Sequence, residues 1–140
     1  MQDVQDKKGE YLPHFALTGN ILGCCFTVMK ELGPGFLERV YKNALFLAMK
    51  QEGLHVETEK SFEVKFRGTA IGRYSADLVV ERAVIVELKC CERLLNEHQA
   101  QVINYLAVAH LPVGLLVNFY RRKLEYKRLY CHDDVDCEEE

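Results

Sequence analysis

The stretch SADLVVERAVIVELKC, residues 75–90, combines apolar runs with three charged side chains, Asp77, Glu87 and Lys89. Its apolar residues on either side of Arg82 predict two strands joined by a tight turn. In such a hairpin Asp77 lies opposite Glu87, and directly opposed side chains are about 5 Å apart at Cβ. Glu87 and Lys89 are two residues apart and therefore share a face of their strand. The stretch predicts two carboxylates and an ammonium group at one end of a hairpin.

The opposed carboxylates have two interpretations. Like charges that face each other are unfavourable unless a positive group lies between them, and a divalent cation meets that need. Mg²⁺ binds one or two carboxylates together with waters and phosphate oxygens, and the backbone carbonyl of Leu88 offers a further oxygen. Lys89 can then orient or deprotonate a water, or hold a phosphate. The alternative is an exposed edge strand with an ordinary Glu–Lys pair, and this short pattern does not separate the two.

The flanking sequence predicts an α/β fold. Apolar residues recur at helical spacing over residues 17–32 and 36–52, and a Gly-Pro-Gly turn at 33–35 separates the two helices. Alternating or apolar runs predict the remaining strands, and residues 96–110 predict a helix with Asn96 as its N-cap. The predicted strands are residues 55–66, 71–80, 83–90, 115–120 and 123–130. A strand meander, a crossover helix and further strands favour helices packed around a mixed central sheet.

Two predicted helices carry further candidate residues. Glu38 and Tyr41 are three apart and share a helix face, so Glu38 can bring a third carboxylate to the hairpin end. The alternative is a first-turn Glu favoured by the helix dipole. Gln101 and Tyr105 are four apart on the last long helix, where an amide and a hydroxyl can hold a water or a phosphate oxygen. The alternative there is a half-buried amphipathic helix.

These motifs together resemble a known family. GFLERVY has the form GxxExxY, ADLVV with VELK is similar to the PD-(D/E)XK signature, and QVINY has the form QxxxY. Their order and spacing resemble the small GxxExxY proteins, a branch of the PD-(D/E)XK nuclease superfamily, over residues 16–130. Ala76 stands where the superfamily name has Pro, and Pro supplies no ligand atom, so little depends on this departure.

The resemblance implies a fold, a cofactor and roles for site residues. The fold is a restriction-endonuclease-like αβββαβ core. Asp77 and Glu87 are implied to bind Mg²⁺ or Mn²⁺ with support from Glu38, and Lys89 is implied to be the catalytic lysine. The QxxxY motif is similar to that of RecB-like exonucleases, which implies that Gln101 and Tyr105 belong to the active-site surroundings.

Candidate contacts to a nucleic acid come from basic and aromatic residues. The residues singled out are Tyr41, Arg73, Arg121, Arg122 and Lys123. Lys and Arg bind phosphates, while Tyr120 and Tyr126 interleave the second basic group and either stack on bases or pack in the core. The alternative for the charges is an ordinary solvated face. DNA is the leading partner, with RNA or a nucleotide as an alternative.

Composition bounds the remaining possibilities. All 18 Lys and Arg lie before residue 131, and six of the 21 acidic residues lie in residues 131–140, which leaves residues 1–130 with a net positive charge. We expect a polar N-terminal extension over residues 1–15, one nuclease-like domain over 16–130 and an acidic, disordered tail over 131–140. No membrane-length apolar segment or signal-like stretch is present, so the expected location is the cytoplasm.

The six cysteines lack a metal-binding pattern. No CxxC occurs, and the adjacent pairs Cys24–Cys25 and Cys90–Cys91 point in different directions, which suits one metal ion poorly. We therefore expect no iron–sulfur cluster and interpret the cysteines as small hydrophobic residues.

The leading function is a divalent-metal-dependent DNA nuclease, for which the sequence leaves both exonucleolytic and endonucleolytic cutting open. The alternatives are a non-catalytic nucleic-acid-binding or partner module on a nuclease fold, or a phosphodiesterase that acts on RNA. Because 140 residues offer limited room to grip DNA, a homo-oligomer or a larger protein partner is also expected.

Overall fold

The computed structural model describes residues 4–5 and 11–131. In chain order the elements are β1 (Val4–Gln5), β2 (Tyr11–Leu12), α1 (Phe15–Leu32), α2 (Glu38–Gln51), β3 (Val56–Phe66), β4 (Thr69–Val80), β5 (Val84–Lys89), α3 (Asn96–Ala109), β6 (Val113–Asn118) and β7 (Glu125–Tyr130). The short strands β1 and β2 pair antiparallel within the predicted N-terminal extension. The predicted acidic tail lies, apart from Cys131, outside the described residues.

The central sheet has five strands in the order β3-β4-β5-β6-β7. Strands β5 and β6 run parallel, with α3 as their crossover, and the other neighbours are antiparallel. This mixed sheet with helices on both sides confirms the predicted restriction-endonuclease-like αβββαβ core. Parallel neighbours place the carboxyl ends of β5 and β6 at the same edge of the sheet.

Two apolar clusters hold the helices on the sheet. Helices α1 and α2 pack on one face through a cluster that includes Leu17, Leu45 and Val86. Helix α3 packs on the other face through Val102 and Leu106. Gly114 lies directly beneath α3, where an added Cβ would come within 2.6 Å of a Val102 methyl carbon. A larger residue at this position would therefore displace the helix.

The helix boundaries differ from the sequence predictions at their ends. Helix α1 begins two residues earlier than predicted, at Phe15, and α2 begins two residues later, at Glu38. The prediction of Asn96 as N-cap is wrong, because Leu95 takes that position. Instead of a side-chain cap from Asn96, the N–H of Leu95 donates to Nδ1 of His98 at 3.0 Å.

The regular alternation of β4 breaks at Asp77. Tyr74 and Ala76 lie in the cluster beneath α3, whereas Leu78 and Val80, at positions of the same parity, lie beneath α1 and α2. The β3–β4 pairing skips the position opposite, where Glu59 has a left-handed backbone with φ of 50°. A non-glycine residue in this conformation is strained, and such strain concentrates at functional sites.

The five cysteines in the described part of the chain occupy three environments. Cys24 and Cys25 are free thiols buried in the core, in agreement with the interpretation as small hydrophobic residues, and Cys90 and Cys91 are free and half-buried. Cys131 is disulfide-bonded, which that interpretation did not anticipate. Across the described part of the chain, no helix is both long and apolar enough to cross a membrane.

Candidate active site

The two strand carboxylates face each other as their positions predicted. Strand β4 pairs with β5 in a register that joins Leu78 to Val86, which places Asp77 opposite Glu87. The N–H of Asp77 donates to Oε2 of Glu87 at 2.8 Å, and the N–H of Leu88 donates to Oδ2 of Asp77 at 2.9 Å. Each carboxylate is thus held by the backbone of the opposite strand. Within residues 4–5 and 11–131, Oδ1 of Asp77 and Oε1 of Glu87 accept no such backbone bond.

Burial and mutual repulsion oppose the charge of these carboxylates. Desolvation, and then the charge of Asp77, raise the pKa of Glu87 to about 8. Desolvation also raises the pKa of Asp77, although the N–H of Leu88 and the positive charge of Lys42 act against this. A carboxyl pair that holds a proton near neutral pH is typical of a site that accepts a cation or takes part in proton transfer.

Glu38 joins this group from the first turn of α2. The preceding turn needs glycine at Gly33 and Gly35, where φ is 77° and 109°. Desolvation, followed by the charge of Asp77, raises the pKa of Glu38, while Lys89 and Lys42 lower it. Glu38 therefore belongs to the same electrostatic cluster as the strand carboxylates.

Tyr41 holds the Gly-Pro-Gly turn in place. Its hydroxyl donates to the carbonyl of Gly33 at 2.6 Å and accepts the N–H of Phe36 at 3.2 Å. Its ring stacks on Phe119 at a centroid distance of 5.0 Å, and the side chain is 0% exposed. This burial contradicts the expectation that Tyr41 contacts nucleic acid. Its role is to fix the turn that positions Glu38.

Lys89 lies at the carboxyl end of β5, beside the end of β6. It pairs with Asn118, and its carbonyl accepts the N–H of Phe119 at 2.8 Å. The Lys89 side chain shares the strand parity of Glu87, and its positive charge acts on Glu38, Asp77 and Glu87. The ammonium group is therefore part of the carboxylate cluster.

Sequence reasoning missed a second lysine, Lys42. It lies one helical turn after Glu38, forms an ion pair with Glu59, and places Nζ 4.0 Å from Oδ1 of Asp77. Glu59, the residue of β3 with the left-handed backbone, is thus linked to the site by its ion pair with Lys42. The spacing of four from Glu38 on one helix was the available signal, because residues at that spacing share a face.

Gln101 and Tyr105 differ in how they relate to the carboxylates. The ring of Tyr105 stacks on Tyr74 at 3.8 Å, and its carbonyl accepts the Tyr74 hydroxyl at 2.8 Å. Desolvation and the charges of Glu87 and Asp77 raise the pKa of Tyr105. Gln101 lies one turn earlier and is exposed, and among residues 11–131 it forms no side-chain hydrogen bond.

The predicted basic residues lie in two places. Arg73 is exposed on β4, with a nitrogen 3.7 Å from a carboxylate oxygen of Glu63. Arg121, Arg122 and Lys123 are exposed in the connection between β6 and β7. Arg121 lies over the Tyr120 ring at 5.2 Å and donates to the carbonyl of Glu92 at 2.5 Å. Arg121, Arg122 and Lys123 come directly after the carboxyl end of β6, which lies beside Lys89 at the end of β5, whereas Arg73 does not.

The donor set of the site fits a hard divalent cation. Among the described residues, Asp77 and Glu87 each have one carboxylate oxygen that accepts no backbone N–H, and Leu88, whose N–H binds Asp77, lies between Glu87 and Lys89 in the strand. Over residues 4–5 and 11–131, no three His, Cys, Asp or Glu side chains form a ready-made cage for an ion. Two carboxylates without a cage suit Mg²⁺, which retains waters and shares substrate phosphate oxygens.

Comparison with known proteins gives a family match and a fold match. A family model described as the PD-(D/E)XK nuclease superfamily matches residues 16–129. The crystal structure of SSO0001 superposes with a TM-score of 0.51 at 20% sequence identity, over 66% of this chain and 48% of that one. The chain therefore spans about half the length of that structure, and at this identity the likeness concerns the fold alone. No curated protein matches the sequence.

Proposed function

The chain belongs to the PD-(D/E)XK nuclease superfamily, and from this premise we propose that it is a divalent-metal-dependent nuclease that hydrolyses phosphodiester bonds in DNA. The observation that carries the proposal is the pairing of Asp77 with Glu87 at the end of the β4–β5 hairpin, with Lys89 two residues further on the same strand. A strand pair built only for the core would not half-bury three charged groups there.

Asp77 and Glu87 would hold Mg²⁺ or Mn²⁺, with the Leu88 carbonyl as a further ligand and Glu38 as support. When bound, the metal would polarise the scissile phosphate and lower the pKa of a water. The Lys89 ammonium would position the attacking water and stabilise the negative charge that develops on the phosphate. Lys42 balances the charge of Asp77 from the helix side.

The finer assignment is to the GxxExxY branch, with RecB-like, exonucleolytic cutting. The motif residues Gly35 and Glu38 support the branch, because Gly35 shapes the turn from which Glu38 reaches the carboxylate cluster. Tyr105 supports the QxxxY relation through its electrostatic coupling to Glu87 and Asp77. Gln101, exposed on the same helix, would contact the substrate rather than the protein.

The partner would be DNA bound along the basic connection after β6. Arg121, Arg122 and Lys123 lie at the sheet edge that carries Lys89, so they can contact phosphates on one side of the cut. Arg73 would add a more distant contact. A homo-oligomer or a larger protein partner would extend this DNA-binding surface.

The proposal is tested by cleavage of end-labelled linear and closed-circular DNA in Mg²⁺ or Mn²⁺. We expect cleavage of linear DNA only, and a loss of about 10³-fold or more in Asp77→Ala, Glu87→Ala and Lys89→Ala. Lys60→Ala, which removes a lysine of β3 whose side chain is 41% exposed, is the matched control and should cleave as the wild type does.

Four results would overturn parts of the proposal. Cleavage of circles would replace the exonuclease assignment with an endonuclease. Wild-type turnover in any of the three site variants would refute the site. If the pure chain neither cleaves nor binds Mn²⁺ in calorimetry, the non-catalytic module becomes the better function, and cleavage of RNA alone would favour the RNA phosphodiesterase.

A further inference from the structure

An apolar cleft adjoins the carboxylate cluster. It has a volume of about 430 Å³ and is lined by residues 35–38, Cys90 and residues 119–120. Glu38 belongs both to this cleft and to the active site. Resting on the nuclease function proposed above, we infer that the cleft holds the base of an unpaired nucleotide next to the phosphodiester that is cut. The substrate is then a single strand or an unpaired end rather than a blunt duplex.

The cleft displays large apolar side chains to solvent. Phe36 is 48% exposed, Leu37 is 63% exposed and Tyr120 is 44% exposed. Neighbouring exposed apolar residues mark binding sites more often than scattered ones do. Aromatic side chains beside a basic groove are the usual platform on which single-stranded nucleic acids stack their bases.

One wall of the cleft, formed by Phe36 and Phe119, is held in place by Tyr41. Phe119 stacks on the buried Tyr41 ring, and Phe36 meets the same ring edge-on at 6.1 Å. The N–H of Phe36 donates to the Tyr41 hydroxyl, which ties this wall to the Gly-Pro-Gly turn. A pre-formed aromatic surface loses little conformational entropy when a base binds to it.

Another part of the cleft lining, at Cys90 and Tyr120, is held by a buried amide. Asn118 is 3% exposed, and its Oδ1 accepts the N–H of Cys91 at 3.1 Å and the N–H of Tyr120 at 3.2 Å. Its Nδ2 donates to the carbonyl of Cys91 at 2.7 Å. This one side chain therefore joins the segment after β5, which includes Cys90, to the segment that carries Tyr120.

The surrounding charges favour a nucleotide as the occupant. The N–H of Phe119 donates to the carbonyl of Lys89, and Cys90, the residue after Lys89, lines the cleft. The cleft therefore lies beside the proposed catalytic lysine. Arg121 lies over the Tyr120 ring and adds a positive charge at the rim. A base in the cleft would leave its own phosphate on the side of Lys89. Bases of a duplex are stacked and paired, so they reach such a cleft only after they leave the helix.

The test measures binding separately from cleavage. The full chain with Lys89→Ala is titrated with a DNA strand that carries 2-aminopurine, whose fluorescence is quenched when it stacks on an aromatic ring. We expect quenching by the single strand and not by the blunt duplex of the same sequence. Adding Tyr120→Ala or Phe36→Ala should weaken binding about 5- to 150-fold, whereas Tyr120→Phe, which keeps the ring, should bind normally.

Phe66→Ala is the matched control, since Phe66 is an aromatic residue 56% exposed near the tip of the β3–β4 hairpin. It should leave binding unchanged. An abasic nucleotide placed next to the cleavage point should weaken binding to the parent protein and have little further effect once Tyr120 is Ala. Equal losses in both proteins, or equal affinity for blunt duplex and single strand, would overturn the inference.

The two proposals fail in different ways. If the wild type cuts no DNA but quenching still depends on Tyr120, the nuclease function fails and the base site stands. If the wild type cuts DNA and neither Tyr120→Ala nor the abasic nucleotide changes binding or cleavage, the base site fails and the nuclease function stands.

Discussion

The two ends of the β4–β5 hairpin use the same pair of strands for opposite purposes. At the turn end, Val79 faces Ile85 and Val80 faces Val84, and all four side chains are at most 1% exposed. Two residues away, Asp77 faces Glu87, and both carboxyl groups have raised pKa values. Burial lowers the free energy of the folded protein at the first end and raises it at the second.

This difference shows where stability and function separate in the molecule. The apolar end anchors the hairpin between two helical layers, and this burial offsets the cost of the half-buried charges at the other end. Local rules are commonly broken at functional sites, and the surrounding structure compensates for them. Three measurements of stability can break or sharpen this comparison.

The largest effect is expected at the apolar end. Ile85→Ala removes a fully buried side chain beneath α3 and should lower the free energy of unfolding by about 2–5 kcal/mol. Lys89→Ala, four residues along the same strand, should change it by less than about 1 kcal/mol. Urea unfolding of the metal-free variants gives both values. A larger loss for Lys89→Ala than for Ile85→Ala would reverse the roles of the two ends.

The next largest expected effect is a pH dependence of the free energy of unfolding, which arises at the charged end. The pKa of Glu87 is about 8 in the folded chain, against a usual value of 4.5. Between these values the folded state binds more protons than the unfolded state, so its stability falls as pH rises. The contribution is fully present below about pH 4.5 and is lost by about pH 8, a change on the order of a few kcal/mol.

Glu87→Gln should flatten this dependence, because the amide does not titrate. The variant should therefore be more stable than the wild type at pH 8 in the absence of metal, although it is expected to be inactive. Thermal unfolding of the wild type and the variant from pH 5 to pH 8 measures this difference. Glu31→Gln, a change at an exposed glutamate, is the control. Identical pH profiles for the wild type and Glu87→Gln would remove Glu87 as the source of the effect.

The hairpin register could be predicted because two simple rules fix it. Side chains alternate along a strand, and a tight turn near Arg82 leaves little freedom in the pairing, so Asp77 had to face Glu87. The rule of alternation then fails on β3 and β4. Glu59 has a left-handed backbone, and the change of face at Asp77 packs side chains of β4 into both apolar clusters. No local pattern in the sequence encodes that packing.

The candidate site was predictable in its motifs and less so in its supporting residues. Tyr41 has the same spacing whether it faces the core or the solvent, so only the packing of Phe119 against it revealed its burial. Asn118 is a single polar residue at the end of an apolar run, and its role depends on hydrogen bonds to the distant residues Cys91 and Glu125. Lys42 contacts a residue of β3, a pairing that helix spacing alone cannot supply.

The smallest effect concerns the charge balance of the site. Lys42 forms an ion pair with Glu59 and lies near Asp77, with only 20% of its side chain exposed. Lys42→Gln should lower the stability of the metal-free protein by about 1 kcal/mol at low salt. Lys60→Gln removes a comparable contact, 3.1 Å from Glu57, but on a lysine side chain that is 41% exposed, so its loss should be smaller.

Divalent metal distinguishes these two lysines. A cation held by Asp77 and Glu87 would replace part of the positive charge that Lys42 supplies, so saturating Mg²⁺ should reduce the stability loss in Lys42→Gln and leave that in Lys60→Gln unchanged. Urea unfolding of both variants, with and without Mg²⁺ at fixed ionic strength, measures this difference. If Mg²⁺ changes the free energy of unfolding of the two variants equally, Lys42 forms only an ordinary surface ion pair with Glu59. The charged end of the hairpin would then consist of its two carboxylates and Lys89 alone.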